Sequence, residues 1–211
     1  MSRRYPAIAF TDDVQAVQRE RGSDRVYARK RITAGASAEP DRLTEDEAQF
    51  LAERDGFYLA TVGETGWPYV QFRGGPTGFV RVLDSGTIGW ADFRGNLQYI
   101  STGNIGGNDR VAIIAMDYAQ RRRLKIFGHA RIVTSDEDPE LIRSLGDAGY
   151  DAVVERAVIV SVDAFDWNCP QHITPRFTVE ELEPVLTDLR QRLTALEEEN
   201  AALKAQLRSS R

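Results

Sequence analysis

The chain has 211 residues, 42% of them hydrophobic, with 27 Lys and Arg against 32 Asp and Glu, for a net charge of −5. No apolar run approaches the ~20 residues needed to cross a bilayer, and the acidic balance gives a general nucleic-acid surface no support, so neither a membrane nor nucleic acid is expected as a partner. One cysteine, Cys169, cannot make an internal disulfide, and the start "MSRRYPAIAFTDD" lacks the apolar stretch of a secretory signal, which together predict a cytoplasmic protein.

Residues 1–40 read as an N-terminal arm. They hold one amphipathic stretch, "DDVQAVQRERG", then a loop rich in Ala, Gly and Ser that ends at Pro40, and a mobile segment is expected there. The arm carries a local basic excess, from Arg3 and Arg4 to Arg29, Lys30 and Arg31, which fits a solvated or partner-touching surface. Thr44 followed by Glu47 is a capping box, and Ala48, Leu51 and Ala52 form an apolar face, so a helix is predicted to end near Gly56. Strands follow at short spacing: "FYLATV", "PYVQFR", "GFVRVL", "TIGWA", "RVAIIAMDY", "RLKIFGHARIV" and "RAVIVSVDAFDW", with a helix-like "DPELIRSLGDAGY" before the last. So few helices among so many strands imply an antiparallel barrel rather than a parallel doubly wound sheet.

Between two of these strands lies "DFRGNLQYISTGNIGGND". Gly95 permits a tight turn, Asn96 is a candidate cap, and "NLQYISTGNI" is predicted to form a short helix closed by Gly106 and Gly107, with Arg94 beside its free N–H groups. A phosphate suits such a place. A second candidate is "QFRGGPTGF", a strand ending in Arg73 before a Gly-Gly-Pro turn; two arginines at neighbouring strand ends suggest one anionic ligand between them. The segment "DWNCPQHITPRF" puts Cys169 and His172 close together. Zinc needs more ligands than these supply, His129 lies in a predicted strand, and no third group orients a Cys–His pair. No metal site is predicted, and Cys169 reads as a small buried apolar residue.

The ordered motifs "GWPYVQFRGGPTGF", "DFRGNLQYISTGN", "DRVAIIAMDY", "RRRLKIFGHARIV" and "FDWNCPQHITPRF" resemble the pyridoxamine 5′-phosphate oxidase-like flavoproteins, the FMN-binding split-barrel family, and in particular a bacterial subgroup with the "WNCPQHI" ending. The resemblance covers roughly residues 43–177. It implies a mainly β (α+β) fold, a six-stranded antiparallel split barrel with flanking helices spanning 41–177, and a homodimer with FMN at the subunit interface. It implies an FMN-dependent oxidoreductase acting on a small substrate, and it places the strand at Gln71, Arg73 and Gly74 against the flavin and the turn Arg94, Gly95 and Asn96 at the phosphate; Gln98 and Ser101 are further candidate cofactor contacts. Trp167 and Arg176 match a tryptophan and a later arginine near the cofactor in family oxidases, and Asn168 and Gln171 are read as polar contacts at the cofactor rim. His172 is a candidate proton donor, having an unperturbed pKa near neutrality. The arginine-leucine-histidine-aspartate-arginine ending of the vitamin B6 oxidases is absent, which speaks against that substrate. A deazaflavin or haem occupies the same barrel in other branches. The alternative function is a non-catalytic flavin- or haem-binding sensor.

Residues 178–211 stand apart. Leu182, Leu186, Leu189, Leu193, Leu196, Asn200, Leu203 and Leu207 alternate four- and three-residue steps, and a parallel dimeric coiled coil is predicted with Asn200 at an a position. Arg192 and Glu199 then face Glu197 and Lys204 of a partner helix. Pro184 suggests that the continuous helix starts near Glu183.

Overall fold

The computed structural model describes residues 4–27, 39–168 and 170–209. Helices α1 (Tyr5–Ala9), α2 (Asp12–Glu20) and α3 (Glu45–Ala52) precede strands β1 (Gly56–Val62), β2 (Pro68–Gly74), β3 (Arg81–Asp84) and β4 (Thr87–Phe93). Then come α4 (Ile100–Gly107), β5 (Arg110–Asp117), β6 (Arg122–Thr134), α5 (Pro139–Leu145), β7 (Val154–Trp167) and α6 (Val179–Ser209). The fold is mainly antiparallel sheet with flanking helices and a C-terminal helix. Seven strands form one sheet in the order β2-β1-β5-β6-β7-β4-β3, one more than the six expected. The difference is β3, four residues long, which pairs with β4 alone across the "DSG" turn.

The sheet closes because its two ends meet. Arg73 on edge strand β2 contacts Asp92 on β4 at 2.8 Å, although four strands separate them in hydrogen-bonding order. Inside, Phe57 stacks on Phe79 and meets Trp90 edge-on at 4.9 Å, with Leu59, Ile88, Leu124, Ile126 and Val160 fully buried around them. Alternation sets this core: β5 reads exposed, buried, intermediate, buried along "RVAIIAMD", so Val111, Ile113 and Ala115 face inward. At Gly128, where β6 and β7 shift register, a Cβ would lie 2.5 Å from the Ser161 carbonyl oxygen. Only glycine lets the two backbones approach that closely.

The start of the arm is docked rather than loose. Tyr5 is buried and stacks on Phe127 at 4.9 Å, and Arg4 pairs with Asp163 at 3.2 Å. The loop expected to be mobile includes residues 28–38, and these, like Cys169, lie outside the described residues.

The Thr44 capping box forms, and it does more than end a helix. Glu47 accepts the Thr44 N–H at 2.9 Å on Oε2, while its Oε1 accepts the Trp167 indole N–H at 2.6 Å. Burial would raise the Glu47 carboxyl, but the hydrogen bonds from Thr44 and Trp167 outweigh it and hold it below its ordinary value. A lowered carboxyl contributes stability above its unfolded value of 4.5 that is lost as pH falls through the folded one. Glu47→Gln retains one acceptor oxygen of two, so a loss of about 1–2 kcal/mol is expected at pH 7. That deficit should shrink in acid urea melts; a deficit unchanged between pH 7 and pH 3 would mean that the charge plays no part.

The contacts divide the described chain into two compact units, the second comprising Tyr118–Gln120 and His172–Arg211. In it, α6 starts at Val179 and runs through Pro184, earlier than expected. The reciprocal bonds of Thr178 and Glu181, at 2.8 and 3.2 Å, satisfy the first turn and make that start favourable despite the proline. Among the described residues, no helix is long and apolar enough to cross a membrane.

Candidate functional site

The site lies where the two ends of the sheet meet. Gln71 and Arg73 pair in register with buried Leu59 and Phe57, so they occupy the inward face of β2. β4 delivers Asp92, and β7 delivers Glu155 and Arg156 through the pairing of Asp92 with Arg156. After Phe93 the chain turns at Arg94–Tyr99 before α4. The Arg94 N–H donates to the Val153 carbonyl at 2.8 Å, which fastens this turn to the start of β7.

Asn96 does not cap α4 as expected. Its Oδ1 accepts the Gln98 N–H at 3.1 Å and its Nδ2 donates to Gln98 Oε1 at 3.2 Å, so both side chains are spent inside the turn. The helix begins only after Tyr99, which like Leu97 has left-handed backbone, φ 53° and 63° respectively. Such conformations cost energy in non-glycine residues and persist where the surroundings impose them. Here the Tyr99 hydroxyl donates to Glu155 Oε1 at 3.2 Å, and the Arg156 guanidinium lies over its ring at 4.7 Å.

These residues line a cleft of about 50 Å³ that includes Gln71, Arg73, Asp92, Asn96, Tyr99 and Glu155. Its electrostatics rest on arginines 73, 94 and 156 set against two carboxylates. Asp92 is buried, with Arg73 at 2.8 Å and Arg156 at 3.5 Å. Burial pushes its carboxyl up, and Arg73 and then Arg156 offset that in part, so the ionised form carries a desolvation cost that the two guanidiniums share. Glu155 gathers Arg156 at 2.5 Å and Arg94 at 3.5 Å. One positive charge is left over. Arg94 is the available cation: its side chain is 59% exposed, and its ion pair among the described residues is the long contact to Glu155. Arg73 Nε is also buried without a hydrogen-bond partner, a donor that an incoming acceptor can satisfy.

Of the residues singled out in the sequence, Gln71, Arg73 and Asn96 line the cleft, with Arg94 and Gln98 in its turn. Ser101 is buried and donates to Gln71 Oε1 at 3.1 Å, which leaves the Gln71 amide nitrogen as its free end. Gly74 pairs with Gly56 at the end of β2. Trp167 is not among the lining residues: it is engaged with Glu47, Phe50 at 4.7 Å and the Arg122 guanidinium at 4.5 Å. Asn168 donates its backbone N–H to the Arg123 carbonyl, and Gln171 is exposed in a turn. His172 has φ 63°, and Arg176 lies over the Tyr118 ring at 4.9 Å, both within the second unit. Sequence reasoning missed Asp92, Glu155, Arg156 and Tyr99. A lone aspartate inside the apolar run "TIGWADF" was the available signal, since a buried carboxylate requires a cationic partner.

The family model for pyridoxamine 5′-phosphate oxidase matches residues 43–165. Among solved structures, HupZ of Group A Streptococcus is 19% identical with TM-score 0.49, covering 64% of this chain and all of its own. General Stress Protein 26 of Bacillus anthracis is 15% identical with TM-score 0.44, covering 63% of this chain and 95% of its own. An FMN-binding protein of Syntrophomonas wolfei is 11% identical with TM-score 0.43, covering 59% and 85%. None of the curated proteins matches the sequence.

Proposed function

This chain belongs to the pyridoxamine 5′-phosphate oxidase family, and from that premise we propose that it is a homodimeric FMN-dependent oxidoreductase that holds the cofactor at the Arg73–Arg94 cleft. The observation that carries this reading is the unbalanced cation at the turn after β4: exposed Arg94 reaches Glu155, which lines the same cleft as the buried, unpartnered Arg73 nitrogen. A phosphate monoester suits Arg94, and the polar edge of a flavin suits Arg73 and the Gln71 amide. Bound FMN supplies the two-electron chemistry, while the protein supplies placement and electrostatics. Arg94 would anchor the phosphate, Ser101 would orient Gln71, and Asp92 would keep Arg73 in its place.

The size of the cleft supports a second copy as part of the site. About 50 Å³ in one chain is far below the several hundred Å³ of an enclosed ligand pocket. On the opposite face of β2 and of its neighbours β1 and β5, Tyr58, Val70, Phe72 and Ile114 are exposed, and Phe72, Tyr58 and Ile114 pair directly across the three strands. An apolar sheet face of this kind is suited to burial against another copy of the chain.

The test compares two ligands. Arg94→Ala should weaken FMN by about thirtyfold, on the order of 2 kcal/mol, and leave riboflavin nearly unchanged, because only FMN carries the phosphate. Fluorescence titration measures both. Equal weakening would remove Arg94 from the phosphate site, and tight binding of haem or a deazaflavin with no FMN binding would overturn the cofactor. Repeated turnover of reduced FMN with a candidate substrate distinguishes an oxidoreductase from a flavin-holding sensor.

A further inference from the structure

The helix α6 has 31 residues and none of them is buried. Its large apolar side chains are nevertheless confined to one seam: Val179, Leu182, Leu186, Leu189, Leu193, Leu196, Leu203 and Leu207, between 37% and 70% exposed, fall at a and d positions with Asn200 completing the pattern. Only Val185, at a g position, lies outside it. Opposite the seam are Thr187, Gln191, Thr194, Glu198, Ala201, Ala205 and Arg208, which a solvated face tolerates. A seam this narrow matches another helix of the same kind rather than a broad globular surface.

We infer that α6 is a docking surface for α6 of a second copy of this chain, forming a parallel, in-register two-stranded coiled coil. Charge complementarity identifies the occupant. In a parallel pair Arg192 and Glu199 at g meet Glu197 and Lys204 at the following e positions of the other copy. In a fully overlapped antiparallel pair Arg192 would meet Glu199, Arg190 would meet Glu197, and Glu183 would meet Lys204. The helix is therefore self-complementary in either direction, and the charges by themselves do not choose. Asn200 does. In the parallel register the two Asn200 amides face each other and hydrogen-bond; in the antiparallel one each faces Leu189 and is buried without a partner. Within one helix Arg192 now pairs with Asp188 at 3.0 Å and Arg190 with Glu183 at 2.9 Å, exposed contacts that are readily exchanged. The assembly role is independent of the flavin reading, because none of these residues belongs to the cleft.

Disulfide trapping in the full chain tests both the partner and its direction. In a Cys169→Ser background, Leu203→Cys is expected to give a covalent dimer under mild oxidation, since parallel d positions meet each other. In an antiparallel pair position 203 lies opposite 186, about 25 Å away along the helix at 1.5 Å per residue. A mixture of Leu186→Cys and Leu203→Cys chains that yields only the mixed disulfide would overturn the parallel direction. Arg192→Glu in the Leu203→Cys chain should slow trapping by roughly tenfold, and adding Glu197→Arg should restore it. Rescue by Glu199→Arg instead would again indicate an antiparallel pair. Absence of trapping at both positions, with the chain still folded by circular dichroism, would overturn the docking of α6 on a second copy.

Discussion

Asp92→Ala is expected to lower the stability of the barrel by about 3–5 kcal/mol, because removing one member of a buried charge cluster leaves the others uncompensated. The carboxylate is buried between Arg73 and Arg156, whose side chains are 17% and 16% exposed, so water replaces little of what it provides. The effect reaches further than one ion pair. Arg73 and Asp92 sit on β2 and β4, near opposite edges of the sheet, and their contact is one of the links that close it. Urea unfolding of Asp92→Ala, Arg73→Ala and the double variant measures the coupling. The double variant should lose clearly less than the sum of the two single losses. Additive losses would show that the pair neither closes the barrel nor holds Arg73 for a ligand.

The second large effect is expected at Gly128. A Cβ there would lie 2.5 Å from the Ser161 carbonyl oxygen and 2.7 Å from Val160 Cγ1, and the nearer of these is backbone that cannot rotate aside. The position also adjoins the register shift between Phe127 and Gly128, where β7 carries one extra residue, so the ladder has to move as a whole. Gly128→Ala should cost about 3 kcal/mol and lower Tm by about 6–12 °C for a chain of this size. Gly106→Ala is the control. It lies in α4 with nothing within 4 Å of its Cβ, and there alanine should be neutral or stabilising by up to about 1 kcal/mol. Calorimetry that found the two variants equally stable would mean that β6 and β7 do not approach as closely as described.

The two glycines show why the sequence and the structure answer different questions. The chain places one at a helix end and the other in a strand, but only the folded neighbours show open space at Gly106 and the Ser161 carbonyl against Gly128. By contrast, period-two alternation made strands such as β2 and β5 legible and short apolar runs made β4 and β7 so, because strand burial follows from residue pattern over a few positions. The capping box at Thr44 was legible for a similar reason: both partners lie within one helical turn, so local geometry suffices.

The site divides along the same line. Arg73 and Arg94 were readable as cations at strand ends, and the turn "FRGN" as a place for an anion. That Asp92 neutralises Arg73 across the closed sheet, that Glu155 draws in Arg94, and that Trp167 is held by Glu47 are contacts between residues 19 to 120 positions apart. No local pattern encodes such pairings; the curl of the sheet brings them together. Asn96 illustrates the reverse error, since its residue type suits a helix cap, yet the left-handed backbone at Leu97 and Tyr99 turns its amide onto Gln98. The sequence by itself determined which residues face inward, where the helix after Thr44 begins and which charges lie at strand ends, since those depend on periodicity and near neighbours. The tertiary structure alone decided which charges remain free to meet a ligand, because that depends on which carboxylates the folded sheet sets beside them.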